Sequence, residues 1–270
     1  MTYGTYTRAI LTAAMLLVAG AAAQPAEPLA GMVLIPAGVY TPLLRDQADP
    51  ARVPVAAFCL DERPVTNGEY LAFVRANPHW RRSQVPALFA DAHYLARWAG
   101  DLEPGPRAPG EAPVVEVSWF AARAYARWAG KRLPTIAEWE RAAAAGFHGD
   151  TGRIEPGFQA AVLGWYATPQ PAVLPAAGAG RPNALGARDL LDLVWEWVDD
   201  FNSALVNGDS RGAGGAGFFC GGAAAENRDP ADYPAFMRLG YRSSLKADYA
   251  IANLGFRCAR DLAPRVARNP

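Results

Sequence analysis

"WAGKRLPTIAEWERAAAAG" spans residues 128–146, and its breaks decide how the middle of the chain folds. Gly130 stands where a helix ends on a left-handed residue. Lys131 and Arg132 follow, placed to satisfy the carbonyls left open at that helix end. Thr135 and Glu138 then form a capping box that starts the next helix. Ile136, Trp139 and Ala143 fall on its inward face, and Gly146 closes it. Upstream, Ser118 caps a helix on which Trp119, Ala122, Ala126 and Ala129 share a stripe, while Arg123 and Arg127 face elsewhere. Thr66 and Glu69 make a second capping box, with Val65 and Tyr70 at staple positions and Tyr70, Phe73 and Val74 on one apolar face. "GMVLIPAGVY" (31–40) and "VPVAAFCLDERPV" (53–65) read as strands. Past Gly149, short apolar pieces alternate with Gly- and Pro-rich turns, so little regular structure is expected there. The mixture predicts one α+β domain with few helices and much irregular backbone.

Residues 1–23 read as a secretory signal peptide. Arg8 supplies the basic start, Ala9 to Gly20 the apolar run, and Ala21-Ala22-Ala23 the cleavage site before Gln24. Residues 24–270 are then the exported domain, expected in the periplasm or medium with no stable membrane anchor after cleavage. The 26 basic and 26 acidic residues balance without a basic stripe, which argues against nucleic acid as a partner. Three cysteines, Cys59, Cys220 and Cys258, allow one disulfide in an oxidising compartment, and spacing leaves the pairing open. His79, His93 and His148 lie too far apart to suggest metal ligation. Trp119, Trp128, Trp139, Trp195 and Trp197 need partners for their indole N–H groups and are read as pins between loops and core.

Five blocks occur in order: "GMVLIPAG" (31–38), "ERPVTNGEYLAFV" (62–74), the run 113–146, "NALGARDLLDLVWEWVDD" (183–200) and "NLGFRCAR" (253–260). Together they resemble the formylglycine-generating-enzyme, or sulfatase-modifying factor, domain family. The resemblance implies a single compact domain related in topology to C-type lectins. It also implies structural calcium at Asp189 and Glu196 through side chains, and at Asp192 and Val194 through carbonyls. Two acids plus carbonyls and water suit that ion. The family's second ion site falls between Gly164 and Pro182, a stretch with no acidic residue, so no ion is expected there.

Enzymes of this family use two cysteines to hold Cu(I) and the substrate thiol. The resemblance places Glu226 at the first of these positions and Pro234 at the second, with Cys220 on the wrong side of Gly221-Gly222. A Glu and a Pro cannot replace two soft thiolates, so neither copper nor formylglycine generation is expected. Cys258 matches a family cysteine whose usual partner position holds Ala126, so a bridge from Cys258 to Cys59 or Cys220 is expected, with Cys59 preferred. Glu226, Tyr233, Arg238 and Arg242 remain as candidate catalytic residues, the two arginines on a strand after the loop. They could work as acid, base or binding groups, or the arginines could simply neutralise buried acids. The resulting expectation is an exported accessory or maturation factor binding a peptide or metalloprotein, with a link to copper nitrite reductase. The alternatives are an oxidative tailoring enzyme for a phenolic or peptide substrate, and a calcium-dependent lectin-like module.

Overall fold

The computed structural model describes residues 30–43, 50–202 and 233–262. The leader 1–23, Cys220 and Glu226 lie outside these residues. The two predicted strand regions each break into two. Residues 31–40 give β1 (Met32–Ile35) and β2 (Gly38–Tyr40); residues 53–65 give β3 (Val53–Val55) and β4 (Phe58–Asp61). β1, β4 and β7 (Ala259–Asp261) form an antiparallel sheet with β4 in the middle. β2 pairs with β3, and β5 (Trp195–Glu196) pairs in parallel with β6 (Leu254–Gly255).

All three expected helices form at their capping residues. α1 (Asn67–Ala76) and α3 (Ile136–Ala143) begin with full capping boxes at Thr66 and Thr135, and α2 (Trp119–Trp128) starts at Ser118. The buried face of α2 is Ala121, Ala122, Tyr125 and Ala126; Ala122 and Ala126 are shared with the expected stripe, Trp119 and Ala129 are only partly buried, and Trp128 is exposed. Lys131 serves the end of α2 as expected, but through its backbone N–H on the Ala126 carbonyl at 2.8 Å, while the Lys131 and Arg132 side chains go to acids. Lys131 pairs with Asp61 at 2.5 Å, and Arg132 forks onto Glu138 and Asp261, pinning the start of α3 to the sheet edge. Two helices appear where little regular structure was expected: α4 (Phe158–Ala167) and α5 (Tyr233–Ser243). α4 has no charged face to mark its period, which is why the sequence pattern missed it.

The main core joins these elements around an aromatic group of Tyr70, Phe73, Tyr125 and Phe256. Indole N–H groups find backbone or side-chain acceptors: Trp197 the carbonyl of Val117 at 2.8 Å, Trp119 that of Val198 at 3.0 Å. The predicted role of these tryptophans as pins holds at these two positions, where one bond joins residues 79 and 80 apart in the chain.

The expected Cys59–Cys258 bridge is absent; both are buried free thiols. The register explains it. Cys59 lies opposite Arg260, so Cys258 is its diagonal neighbour on the same face. Diagonal neighbours sit about 7–8 Å apart, whereas a disulfide needs Cβ atoms about 4 Å apart. Cys258 instead donates its backbone N–H to Asp61 at 2.9 Å. Alkylation of the denatured, unreduced protein followed by peptide mass analysis is expected to recover both Cys59 and Cys258 as modified thiols; a linked Cys59–Cys258 peptide would contradict this register.

Candidate functional site

α3 carries a glutamate into the core. Ile136, Trp139, Glu140 and Ala143 stand at i, i+3, i+4 and i+7, so the stripe that buries Trp139 buries Glu140 too. Facing it, α5 presents Arg238 and Arg242, four residues apart on one side of the helix. Arg238 holds both Glu140 oxygens, through Nε at 2.9 and 3.2 Å and Nη2 at 2.7 Å, and gives Nη1 to the Tyr166 hydroxyl at 3.2 Å. Arg242 donates Nη1 to Glu140 Oε1 at 2.5 Å. The two arginines were expected on a strand; they lie on α5, and they do neutralise a buried acid. Burial alone would raise the Glu140 carboxyl, but Arg238 and then Arg242 outweigh it and hold it down to about 2. Burial, reinforced by Glu140, pushes the nearby Tyr40 phenol up to about 12.

Trp139 connects this cluster to a second one. Its ring lies 4.7 Å from the Arg242 guanidinium, while its N–H donates to Glu196 Oε2 at 2.7 Å. Arg257 then grips Glu196 through Nε and Nη2 with both side chains fully buried. Beside the arginines a shallow recess opens, walled by Trp165, Tyr166, Trp195 and Tyr241. Trp195 stacks on Tyr241 at 4.4 Å and on Tyr166 at 5.1 Å. All four rings are partly exposed.

The expected calcium ligands divide between two places. Asp189 (φ 57°) accepts the backbone N–H groups of Gly178 and Gly180, and its carboxylate lies with that of Asp192 against Gly180. A side chain on Gly180 would strike both acids. Burial, then the Asp189 charge, raises the Asp192 carboxyl to about 6. Glu196, in contrast, already takes two donors on each oxygen, from Arg257 and Trp139. A calcium ligand set that includes Glu196 therefore does not fit. Val194 is buried in a satellite cluster with Leu193. Asp189 and Glu196 are both buried, so these two residues do not fit a solvent-open calcium of lectin type. Among the described residues no three His, Cys, Asp or Glu side chains come together as metal donors.

Of the candidate catalytic residues, Tyr233 begins α5 and is half exposed, while Arg238 and Arg242 converge on Glu140. Sequence reasoning missed Glu140, Tyr166 and Tyr241. The i, i+3, i+4, i+7 stripe of α3 was a usable signal for Glu140; the other two are placed only by packing across α4, α5 and β5.

Comparison with known proteins agrees with this architecture. The sulfatase-modifying factor enzyme 1-like domain family matches residues 18–262. The formylglycine-generating enzyme of Streptomyces coelicolor is 33% identical over 252 residues, covering 76% of this chain and 78% of that protein. The inactive C-alpha-formylglycine-generating enzyme 2 of Bos taurus is 32% identical over 272 residues, covering 84% of this chain and 87% of its own. PvdO from Pseudomonas aeruginosa shares the fold at a TM-score of 0.50, with 22% identity over 89% of this chain and 100% of that one.

A carboxyl held below its ordinary value stabilises the fold above that value and loses the contribution as pH falls through its folded value. Glu140 is therefore expected to contribute about 3 kcal/mol near neutrality, lost from about pH 4.5 down to about 2. Glu140→Gln should lower stability at pH 7 by about 3–5 kcal/mol, because two guanidiniums stay buried, and should flatten the acid limb. Urea unfolding at pH 7 and in acid reads both. Separately, the melting temperature is expected to agree in excess calcium and in EDTA; a rise of several degrees in calcium would overturn the reading that Glu196 is closed to the ion.

Proposed function

This chain belongs to the sulfatase-modifying factor family, and from that premise we propose that it is an exported, non-oxidising member, an accessory or maturation factor that binds a peptide or protein partner, a metalloprotein among the candidates. The observation that carries this reading is Pro234. The resemblance assigns it the position of the family's second catalytic cysteine, and it is built into the first turn of α5, buried, with its carbonyl accepting the Tyr166 hydroxyl at 3.3 Å. Proline suits a first helical turn and offers no donor to a metal.

The described thiols give no substitute. Cys258 is fully buried beside Asp61, and burial pushes its thiol well above the ordinary range, with Asp61 adding to the shift. Cys59 is raised by burial as well. Neither lines the aromatic recess. A thiolate, not a thiol, is what captures copper, so these two sulfurs are poorly suited to the task. An inactive relative at 32% identity is consistent with a family in which the domain outlives the oxidation. The recess beside α5 is the surface this reading assigns to the partner. It is shallow and aromatic, as a site for one anchoring side chain of a larger ligand would be.

The test is direct. Purified chain, supplied with Cu(I), dioxygen and a sulfatase-type cysteine peptide, is expected to leave the thiol unconverted. Aldehyde formation at a measurable turnover would overturn the non-oxidising reading.

A further inference from the structure

Among the described residues three arginines are buried, and two of them are saturated. Arg257 places Nε, Nη1 and Nη2 on Glu196 and on the carbonyls of Asp61, Glu62 and Arg188. Arg238 places all three nitrogens on Glu140 and Tyr166. Arg242 is different. It is 6% exposed, yet it uses only Nη1, on Glu140; Nε and Nη2 meet no acceptor among the described residues. Neither nitrogen is among the fully buried polar atoms left without a partner, so both keep contact with water and stay open to an acceptor. Arg242 also lines the recess, at whose mouth Trp165, Tyr166, Trp195 and Tyr241 offer partly exposed rings.

From this juxtaposition we propose that the recess takes a carboxylate carried next to an aromatic ring, with Arg242 Nε and Nη2 as the carboxylate donors and the ring continuing the Tyr166–Trp195–Tyr241 stack. The inference rests on the reading of this recess as the binding surface and names its ligand chemistry. Nε and one Nη of a guanidinium form the fork that a carboxylate accepts with two parallel bonds. The stacked rings, spaced 4.4–5.1 Å apart, set the plane in which another ring is favoured. The other charges of the neighbourhood are already engaged. Glu140 is held by both arginines, Glu196 by Arg257, and Asp200 Oδ1 takes the Ile136 N–H at 2.7 Å. Arg238 engages both Glu140 oxygens and the Tyr166 hydroxyl, whereas Arg242 holds Glu140 through Nη1 and keeps Nε and Nη2 for another acceptor.

Two sources carry this chemistry: a free aromatic acid, or the C-terminal aromatic residue of a protein. N-acetylphenylalanine and its amide, and a tripeptide ending in phenylalanine with free and amidated C-terminus, are titrated into the full chain by calorimetry. The free acids are expected to bind about tenfold or more tighter than the amides. Arg242→Met should abolish that preference, Arg242→Lys should keep only part of it, and Trp195→Ala should weaken acid and amide alike; thermal melts confirm that each variant is folded. Tighter binding of the tripeptide acid assigns a protein C-terminus, and tighter binding of N-acetylphenylalanine a small aromatic acid. Equal binding of acid and amide to the wild type, or a preference that survives in Arg242→Met, overturns the carboxylate inference while leaving the recess as a binding surface. No binding of any probe removes both.

Discussion

Arg257 has no exposed surface, and its guanidinium ties together pieces of chain that are far apart in sequence: the end of β4 through the carbonyls of Asp61 and Glu62, the turn at Arg188, and β5 through Glu196. A buried ion pair of this kind is costly to form and destabilising by about 3–5 kcal/mol when one partner is removed. What it supplies here is position. A domain with strands of two to four residues has few ladder bonds with which to hold its loops. Charged side chains with several donors take over that task, and Arg257 is saturated by carbonyls and a carboxylate that no regular element would otherwise bring together.

The same device, repeated one layer out, builds the recess. Trp139 donates to Glu196 and turns its face to Arg242, so the position of α3 against Arg257's partner also sets where α5 can dock. α5 meets the body largely through polar bonds to Glu140 and through stacking of Tyr241 on Trp195. Its arginines therefore sit at a defined depth beneath partly exposed rings. A guanidinium and an aromatic wall thereby share one opening. Pro234, at the head of α5, belongs to the helix that carries the arginines rather than to a metal-binding loop.

Much of the framework was legible in the chain. The capping boxes at Thr66 and Thr135 and the cap at Ser118 marked three helix starts correctly, because a cap is a local bond between residues three apart. The ordered blocks identified the family. Less was legible where the determining contact is distant. α4 has no polar face to betray its period. The lone pairs of Glu196 could be assigned to calcium from sequence because nothing local says that Arg257, sixty-one residues away, fills them. The Cys59–Cys258 bridge failed for a reason of register: two cysteines on neighbouring strands need to be opposite, and these are diagonal.

Residue identity and short-range spacing were enough for the family and for the positions of the first three helix starts, because ordered motifs and caps are local features of the chain. It took the packed fold to set Glu140 against two arginines, to give Glu196 to Arg257, and to leave Arg242 with two donors unused among the described residues. Those outcomes depend on which side chains meet across the core, and a buried charge is defined by its partners in space rather than by its neighbours along the chain.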